Sequence, residues 1–367
     1  DGCRVRMVNL SGGPLTLSGT YTISNGNQRI ILGPAGAASC SYVAGEAVAL
    51  TATADARVNR PRHLNVSGNV LFVPNNSDHS VTALNFSGST IAYGAVNVPA
   101  YQSVRIIGNG TGGYLGDNAV ANTTRFNTPF QAVSDPLNAG NIFVADYSNL
   151  RIRTVQASNY RTALVAGNGN SRSGTSGNGT IEAGLEKLSN PRGLVYDSVN
   201  KILFISDMSN NRIRAVNRYG EASLAVGLGV AGGGSEENEL PSIVSMNNAR
   251  GLALTHATST FGGHLVWADT NNHRIRIWNR ATSQQTLFGV TIDAGRVATI
   301  GGDGTLGTAT SGSALQAAFS SPSGVAFDGT DLYVADTNNH CIKKISSTGT
   351  LSAVAGTCGT AGNINGA

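Results

Sequence analysis

A twelve-residue pattern recurs along this 367-residue chain and constrains its fold more than any other feature. Each copy begins with an apolar run, continues through a polar turn that contains Asn, and ends in a basic, strand-like segment. Four copies are clear and a fifth is degenerate; they span 142–153, 203–214, 265–276, 332–343 and 71–82. Their equivalent Asp or Asn positions, 75, 146, 207, 269 and 336, are 71, 61, 62 and 67 residues apart. Self-similarity at a nearly fixed period indicates a repeat architecture.

The surroundings of each copy are also repeated. A turn and a short apolar segment precede it, and a short strand that ends in Gly follows it, as at 163–167, 297–301 and 351–356. One repeat therefore predicts four short strands, A to D from the inside outward. Such a unit repeated around an axis is a β-propeller blade. The 47 glycines and the low charged fraction of 13% agree with many short strands joined by turns.

The repeat resembles that of the NHL-repeat family. The shared pattern is Pro-x-Gly-φ, followed by φ-Tyr-Val-Ala-Asp-x-x-Asn-x-Arg-Ile-Arg, where φ is apolar. The resemblance covers residues 61–356 and is weaker in the copy at 61–108, where Pro74 and Asn75 replace Ala-Asp. It implies a propeller, six-bladed in many members, that mostly binds other molecules, while a minority of related propellers are enzymes.

A further blade is predicted at the start of the chain. Residues 3–8 are similar to a C strand and 41–45 to a D strand, and the insertion at 9–39 is typical of a β-hairpin. Residues 359–367 resemble the linker before an A strand. We therefore expect one all-β domain over 1–367, a six-bladed β-propeller of four-stranded blades whose first blade is incomplete. The rest of a longer polypeptide would complete that blade, or a strand pair from another copy would do so and build a filament.

The four cysteines indicate the cellular compartment of the protein. Cys3 with Cys40, and Cys341 with Cys358, each bracket neighbouring strands of one blade. Two disulfides would fit an extracellular protein, whereas the alternative is four buried thiols. A plain hairpin would place Cys341 opposite Val354, so the second pair requires a bulge. Secretion in a eukaryote would also make the sequons candidates for N-glycosylation, although chance explains their number. They are Asn9, Asn65, Asn75, Asn85, Asn109, Asn122 and Asn178.

The repeated polar residues are interpreted as structural. The Asp at the end of each B strand is expected to accept backbone N–H groups and to fix the turn into strand C. The Arg or Lys two residues past the repeated Asn is expected to pair across the blade. Another repeated cation could bind a ligand: Arg62, Arg192 and Arg250 each lie one residue into the entry of an A strand and could hold an anionic ligand. The alternative is that each Arg contacts a turn of the neighbouring blade.

No catalytic or metal site is predicted. Only His63 among the six histidines falls on an A strand, so three converging zinc ligands are not expected. The carboxylates of Asp135, Asp197 and Asp328 lie near the outer ends of A strands, which gives weak support to a calcium-dependent lactonase. We therefore expect no cofactor and no enzyme activity.

The function favoured by these patterns is that of a secreted interaction or structural scaffold module. It would bind a protein or glycan partner on a propeller face. The alternatives are a propeller enzyme of the lactonase or peptidyl-hydroxyglycine lyase kind, and an RNA-binding NHL propeller. The net charge is +4 and no basic block occurs, so a nucleic-acid partner is not predicted. No apolar run is long enough to predict a membrane span.

Overall fold

The computed structural model describes residues 4–8, 15–18, 21–23, 28–32, 48–49, 58–135, 141–170, 180–233, 236–255 and 263–362. Within these ranges the chain is all-β, with 31 strands, seven short 3₁₀ turns and no α-helix. No helix in the same ranges has the length and apolarity needed to cross a membrane. The chain divides into two compact units, residues 1–165 with 363–367, and residues 166–362.

The N-terminal part of the first unit forms small two-stranded sheets. Its strands are β1 (Val5–Val8), β2 (Leu15–Ser18), β3 (Tyr21–Ile23), β4 (Gln28–Leu32) and β5 (Val48–Ala49). β1 pairs with β4, and β2 pairs with β3, both antiparallel. The predicted C strand, β1, therefore pairs with a strand of the predicted insertion. The D strand expected at 41–45 lies outside the described residues.

Two antiparallel sheets follow in the first unit, and each contains the four strands of one blade. Blade 1 comprises β6 (Asn65–Ser67), β7 (Val70–Asn75), β8 (Ser80–Asn85) and β11 (Gln102–Ile107). β5 pairs with β11 at the edge of this sheet. A hairpin of β9 (Ile91–Tyr93) and β10 (Val96–Val98) is inserted before β11. Blade 2 comprises β12 (Pro129–Ser134), β13 (Ile142–Asp146), β14 (Arg151–Val155) and β15 (Thr162–Ala166).

The second unit holds three more blades. Blade 3 comprises β17 (Pro191–Asp197), β18 (Ile202–Asp207), β19 (Arg212–Val216) and β20 (Glu221–Val226), with β16 (Ile181–Glu182) on its outer edge. Blade 4 comprises β21 (Ala249–Leu254), β22 (Leu265–Asp269), β23 (Arg274–Trp278) and β26 (Val297–Gly301). A hairpin of β24 (Gln285–Leu287) and β25 (Val290–Ile292) is inserted before β26. Blade 5 comprises β28 (Pro322–Phe327), β29 (Leu332–Asp336), β30 (Cys341–Ile345) and β31 (Thr350–Ala355), with β27 (Ser311–Ser313) outside.

The 3₁₀ turns also follow the repeat. Four of them join strands B and C, at Tyr147–Asn149, Met208–Asn210, Thr270–Asn272 and Thr337–Asn339. Three others lie in loops after strand D, at Ala183–Leu185, Pro241–Ile243 and Ala314–Gln316.

The all-β propeller class predicted from the repeat is confirmed, and the number of blades is corrected from six to five. The expected sixth blade depended on β1 acting as a C strand. Instead, β1 is paired along Val5–Val8 with Gln28–Leu32, so it belongs to a separate two-stranded sheet. The hypothesis of self-assembly through an incomplete first blade depended on that assignment and is not carried forward.

The A strands of neighbouring blades approach closely within the second unit. An added Cβ on Gly193 of β17 would lie 2.0 Å from the carbonyl oxygen of Arg250 on β21. On Gly251 it would lie 2.8 Å from Cα of Gly324 on β28. Only glycine leaves room for such backbone contact. Apolar clusters then fill the space between the sheets, with Trp267 and Phe319 completely buried.

Candidate functional site

The repeated Asp is the centre of a buried polar network in blades 2 to 5. In blade 2, Asp146 Oδ1 accepts the backbone N–H of Asn127 at 2.7 Å, and Asp146 Oδ2 accepts the amide of Asn149 at 2.8 Å. Asp207, Asp269 and Asp336 accept equivalent pairs of hydrogen bonds at 2.7–2.8 Å. All four aspartates are completely buried. The Asp therefore joins the start of strand A to the turn after strand B, as the sequence predicts.

A buried cation of strand C pairs with this Asp. It lies four residues past the Asn rather than two: Arg153 Nη1 is 3.6 Å from Asp146 Oδ2, and Lys343 Nζ is 2.6 Å from Asp336 Oδ2. The nearer cation, Arg151, places its guanidinium 4.1 Å from the centre of the Tyr114 ring. Arg153 lies near the same ring, 5.3 Å from its centre, and its side chain is completely buried.

Blade 1 contains a neutral version of the same network. Asn75 takes the place of the Asp, and Thr82 takes the place of the Arg or Lys. Asn75 Nδ2 donates to Thr82 Oγ1 at 2.8 Å, and both side chains are buried. Losing one charge alone would leave the other buried without compensation, which is costly. The degenerate repeat has lost both.

Burial also dominates the protonation of the repeated carboxylates. It raises the pKa of Asp146, Asp207 and Asp269 to about 6, while the hydrogen bonds from Asn and backbone N–H groups and the neighbouring Arg act in the opposite direction. Each carboxylate is committed to contacts within the sheet. No cluster of three or more His, Cys, Asp or Glu suited to a metal ion occurs in the part of the chain that the structure describes.

A second repeated contact joins neighbouring blades and was not predicted from the sequence. His79 Nδ1 of blade 1 accepts the backbone N–H of Thr128, at the start of blade 2, at 3.0 Å. At the same repeat position, His273 Nδ1 accepts from Ser321, and Asn211 Oδ1 accepts from Asn248, both at 3.1 Å. His79, Asn211 and His273 all have left-handed backbone angles. These side chains act as acceptors between blades.

These contacts predict a specific acid sensitivity. Burial lowers the pKa of His79 and His273, partly opposed by Asp78 and Asp336 respectively. The folded state therefore favours the neutral, accepting imidazole, whereas the unfolded histidine protonates below about pH 6.5. Stability from these two groups is present above pH 6.5 and is lost as the pH falls below it. Replacing both with Asn, as at Asn211, should reduce the loss between pH 6.5 and 4.5 by up to about 1 kcal/mol.

The measurement is denaturant unfolding of the wild type and of H79N/H273N at several pH values. The buried aspartates are present in both proteins, so their own titration cancels in the difference. Parallel stability profiles for the two proteins would contradict the assignment.

The three arginines predicted to hold an anion lie in different units. Arg192 and Arg250 occupy equivalent positions on the adjacent strands β17 and β21. Arg62 belongs to the first unit, where its guanidinium carbon lies 5.4 Å from the centre of the Phe130 ring in blade 2. That contact is with strand β12 of the neighbouring blade, not with a turn. Anion binding by these residues stays a prediction.

One predicted disulfide lies in the described part of the chain. Cys341 and Cys358 are bonded, with sulfur atoms 2.05 Å apart. A bulge between Ile342 and Lys343 shifts the register, and Gly359 N–H donates to Asn339 O at 2.8 Å, which curls the chain back. The geometric difficulty seen in the sequence is resolved in this way. Cys3 and Cys40 lie outside the described residues.

The structure narrows the set of N-glycosylation candidates. Asn75 and Asn85 are completely buried. The amide of Asn85 donates to three backbone oxygens, at 2.8–3.1 Å, that hold the β9–β10 hairpin. A glycan on either residue is incompatible with this fold, so both are withdrawn. Asn65, Asn109 and Asn122 are partly exposed and remain candidates, whereas Asn9 and Asn178 lie outside the described residues.

The candidate binding site is a cavity of about 290 Å³ between the inserted hairpin of blade 1 and blade 2. Phe72, Tyr93 and Tyr160 supply aromatic rings, and Asp135 supplies a carboxylate. The Tyr93 ring meets the Phe72 ring edge-on, with centres 6.2 Å apart. The Tyr160 hydroxyl donates to Ile106 O, which fixes that ring. Apolar walls with a few polar groups are typical of small-molecule sites.

The electrostatics of the cavity favour binding over proton transfer. Burial raises the pKa of Tyr93 to about 12 and that of Tyr160 also above its ordinary value, so both phenols stay neutral. Asp135 is 2% exposed and is the one ionisable carboxylate among the ten described lining residues, which include no His, Cys, Lys or Arg. A negatively charged, aromatic-lined cavity favours cationic or planar polar ligands.

The sequence contains a signal for this site that the repeat alignment did not use. The spacings of 71 and 67 residues follow the two blades that carry an inserted hairpin, at 91–98 and 285–292. Asn85 and Asn279 hold these hairpins with the same set of hydrogen bonds. Of the cavity residues, only Asp135 was singled out from the sequence.

The comparisons with known proteins agree with the fold. The family model of the NHL repeat matches residues 319–345, which include the first three strands of blade 5. No curated protein matches the chain.

Two of the similar solved structures cover most of the chain. A crystal structure of a nidogen/laminin complex matches with a TM-score of 0.51 and 14% identity, over 97% of this chain and 100% of that one. An auxiliary nutrient binding protein from Bacteroides thetaiotaomicron matches with a TM-score of 0.50 and 13% identity, over 83% of this chain and 61% of that one. At these identities the likeness shows the fold alone.

Proposed function

Because the chain is an NHL-repeat β-propeller, we propose that it is a secreted, non-enzymatic binding module. Its ligand site is the cavity lined by Phe72, Tyr93, Asp135 and Tyr160. The observation that carries this proposal is that the polar residues of the fold have two different locations. The repeated Asp, Asn and Arg side chains hold the blades together, whereas Asp135 lines a concave, aromatic-walled site on that rigid frame.

The Cys341–Cys358 disulfide supports an extracellular setting, because such bonds persist in oxidising compartments. One of the similar structures is a nidogen/laminin complex and another is an auxiliary nutrient binding protein. Their partners belong to those proteins. For this chain they support only the general idea of a protein or small-molecule partner.

A fragment screen tests the proposed site. Ala92 and Ala157 are exposed at the cavity edge, so Trp at either position should block it. We expect fluorinated fragments that bind the wild type, detected by ¹⁹F NMR, to bind A92W and A157W at least tenfold more weakly. The matched control is A353W, an exposed alanine on β31 of blade 5.

Fragments that bind the wild type and A353W but not the two blocked variants would support the cavity as the binding site. Equal binding to all four proteins, or no binding fragment for the wild type, would contradict the proposal.

A further inference from the structure

An arginine fills the equivalent space between blades 3 and 4. Arg280 of blade 4 reaches Asp197 of blade 3, with Nη2 2.8 Å from Oδ2 and both side chains almost fully buried. Its guanidinium carbon lies 4.9 Å from the centre of the Phe204 ring of blade 3. The guanidinium is thus both paired with a carboxylate and stacked on an aromatic face, two favourable interactions for this group.

The repeat register identifies the same three positions at the cavity of blades 1 and 2. Ala157 lies eleven residues after Asp146, as Arg280 lies eleven after Asp269. Phe72 lies three residues before Asn75, as Phe204 lies three before Asp207. Ser67 pairs with Val70 at the end of the A–B ladder, as Asp197 pairs with Ile202. All three equivalents, Ala157, Phe72 and Ser67, line the cavity.

The cavity between blades 1 and 2 therefore lies at the position that the Arg280 guanidinium fills between blades 3 and 4. Phe72 supplies the same aromatic ring as Phe204, whereas Ala157 stands at the position of Arg280. The inserted hairpin adds Tyr93 as a further ring beside Phe72. Among the described residues, this space is lined by aromatic rings, small side chains, Ile91 and Asp135.

The negative charge is also kept, although it comes from a different residue. Ser67 replaces the Asp197 carboxylate, and Asp135 of blade 2 lines the cavity instead. Asp197 shows that a carboxylate at this A–B turn can serve two groups at once. Its Oδ1 accepts the N–H groups of Val199 and Asn200 while its Oδ2 binds Arg280. Asp135 occupies the equivalent position of its own blade, pairing through its N–H with Asn141 O at 2.9 Å.

We propose that the cavity binds a guanidinium group supplied by a ligand, stacked on Phe72 and Tyr93 and charge-paired with Asp135. This inference rests on the proposed function, because it assigns a ligand class to the same site. The group can be carried by a small molecule or by an arginine side chain of a partner polypeptide.

The test is calorimetric titration of the wild type with N-acetyl-arginine-N-methylamide. The uncharged citrulline derivative of the same shape is the control ligand. We expect the arginine derivative to bind at least tenfold more tightly than the citrulline derivative. D135N should lose most of that preference, because it keeps the shape of the site and removes the charge. Equal affinity for the two ligands, or full preference in D135N, would overturn the proposal.

A second variant replaces the missing group. A157R/S67D recreates the Arg280–Asp197 pair inside the cavity and should abolish binding of the arginine derivative while leaving the protein folded. S67D alone should keep or increase the affinity, because it adds a carboxylate without the competing arginine. Undiminished binding to A157R/S67D would place the ligand elsewhere and overturn the assignment.

Two further ligands distinguish a polypeptide from a small molecule as the source of the guanidinium. Tenfold tighter binding of an Ac-Gly-Arg-Gly-amide peptide than of methylguanidinium would identify a polypeptide ligand, and equal binding would identify a small molecule; both support the proposal. If the neutral fragments bind in the cavity and no guanidinium compound does, the ligand class is wrong while the binding site stands.

Discussion

Replacing Asp336 with Ala should lower the free energy of unfolding of the second unit by about 3–5 kcal/mol. The Asp336 and Lys343 side chains are completely buried and 2.6 Å apart, and Asp336 also accepts from Ser320 and Asn339. Removing the carboxylate leaves the Lys343 ammonium buried without its counter-charge. The expected loss is large because that group cannot reach water without opening the sheet.

Removing both charges should be far less harmful than removing one. In D336N/K343M the Asn can still accept from the backbone, and the apolar Met replaces the Lys343 chain, whose Nζ lies 4.7 Å from the centre of the Phe319 ring. Blade 1 already folds with the neutral Asn75–Thr82 pair at these positions. We expect the two substitutions to be non-additive, with a coupling energy of about 2–3 kcal/mol.

Urea unfolding followed by tryptophan fluorescence reports on the relevant unit, since both tryptophans, Trp267 and Trp278, lie within residues 166–362. The control is K344A, which breaks the more exposed Lys344–Asp331 pair at 2.8 Å and should cost less than about 1 kcal/mol. Similar losses for D336A and K344A would show that burial does not set the energy of these pairs.

Removing the Cys341–Cys358 disulfide should cost about 3 kcal/mol. The bond closes a loop between residues 17 positions apart, and its main effect is to restrict the unfolded chain. It also fixes the segment in which Gly359 N–H donates to Asn339 O, beside the Asp336 network. The measurement is urea unfolding of C341S/C358S by the same fluorescence signal.

Reduced wild-type protein is the matched control for this prediction. It should unfold at the same urea concentration as C341S/C358S, and a non-reducing peptide map of the oxidised protein should contain the linked pair. A loss below about 1 kcal/mol would mean that the loop is already ordered by other contacts when the chain unfolds.

The sequence by itself determined the repeat, the four-stranded blades and the structural role of Asp146, Asp207, Asp269 and Asp336. These features are local: an Asp at the end of a strand, followed three residues later by Asn, forms the same turn wherever it occurs. The same local reading failed at β1. Strand propensity indicated a strand there, but it could not tell which partner would pair with it, and β4 took that place.

Only the tertiary structure decided which repeated residues come into contact, within a blade and between blades. Arg153 pairs with Asp146 although the two lie seven residues apart, because strands B and C bring both side chains into the buried interior of blade 2. Whether the space between two blades is filled or open depends on one residue of each blade, as with Arg280 and Asp197 on one side and Ala157 and Ser67 on the other. The blades share one backbone plan, and side-chain contacts over long sequence separations decide where that plan leaves a cavity.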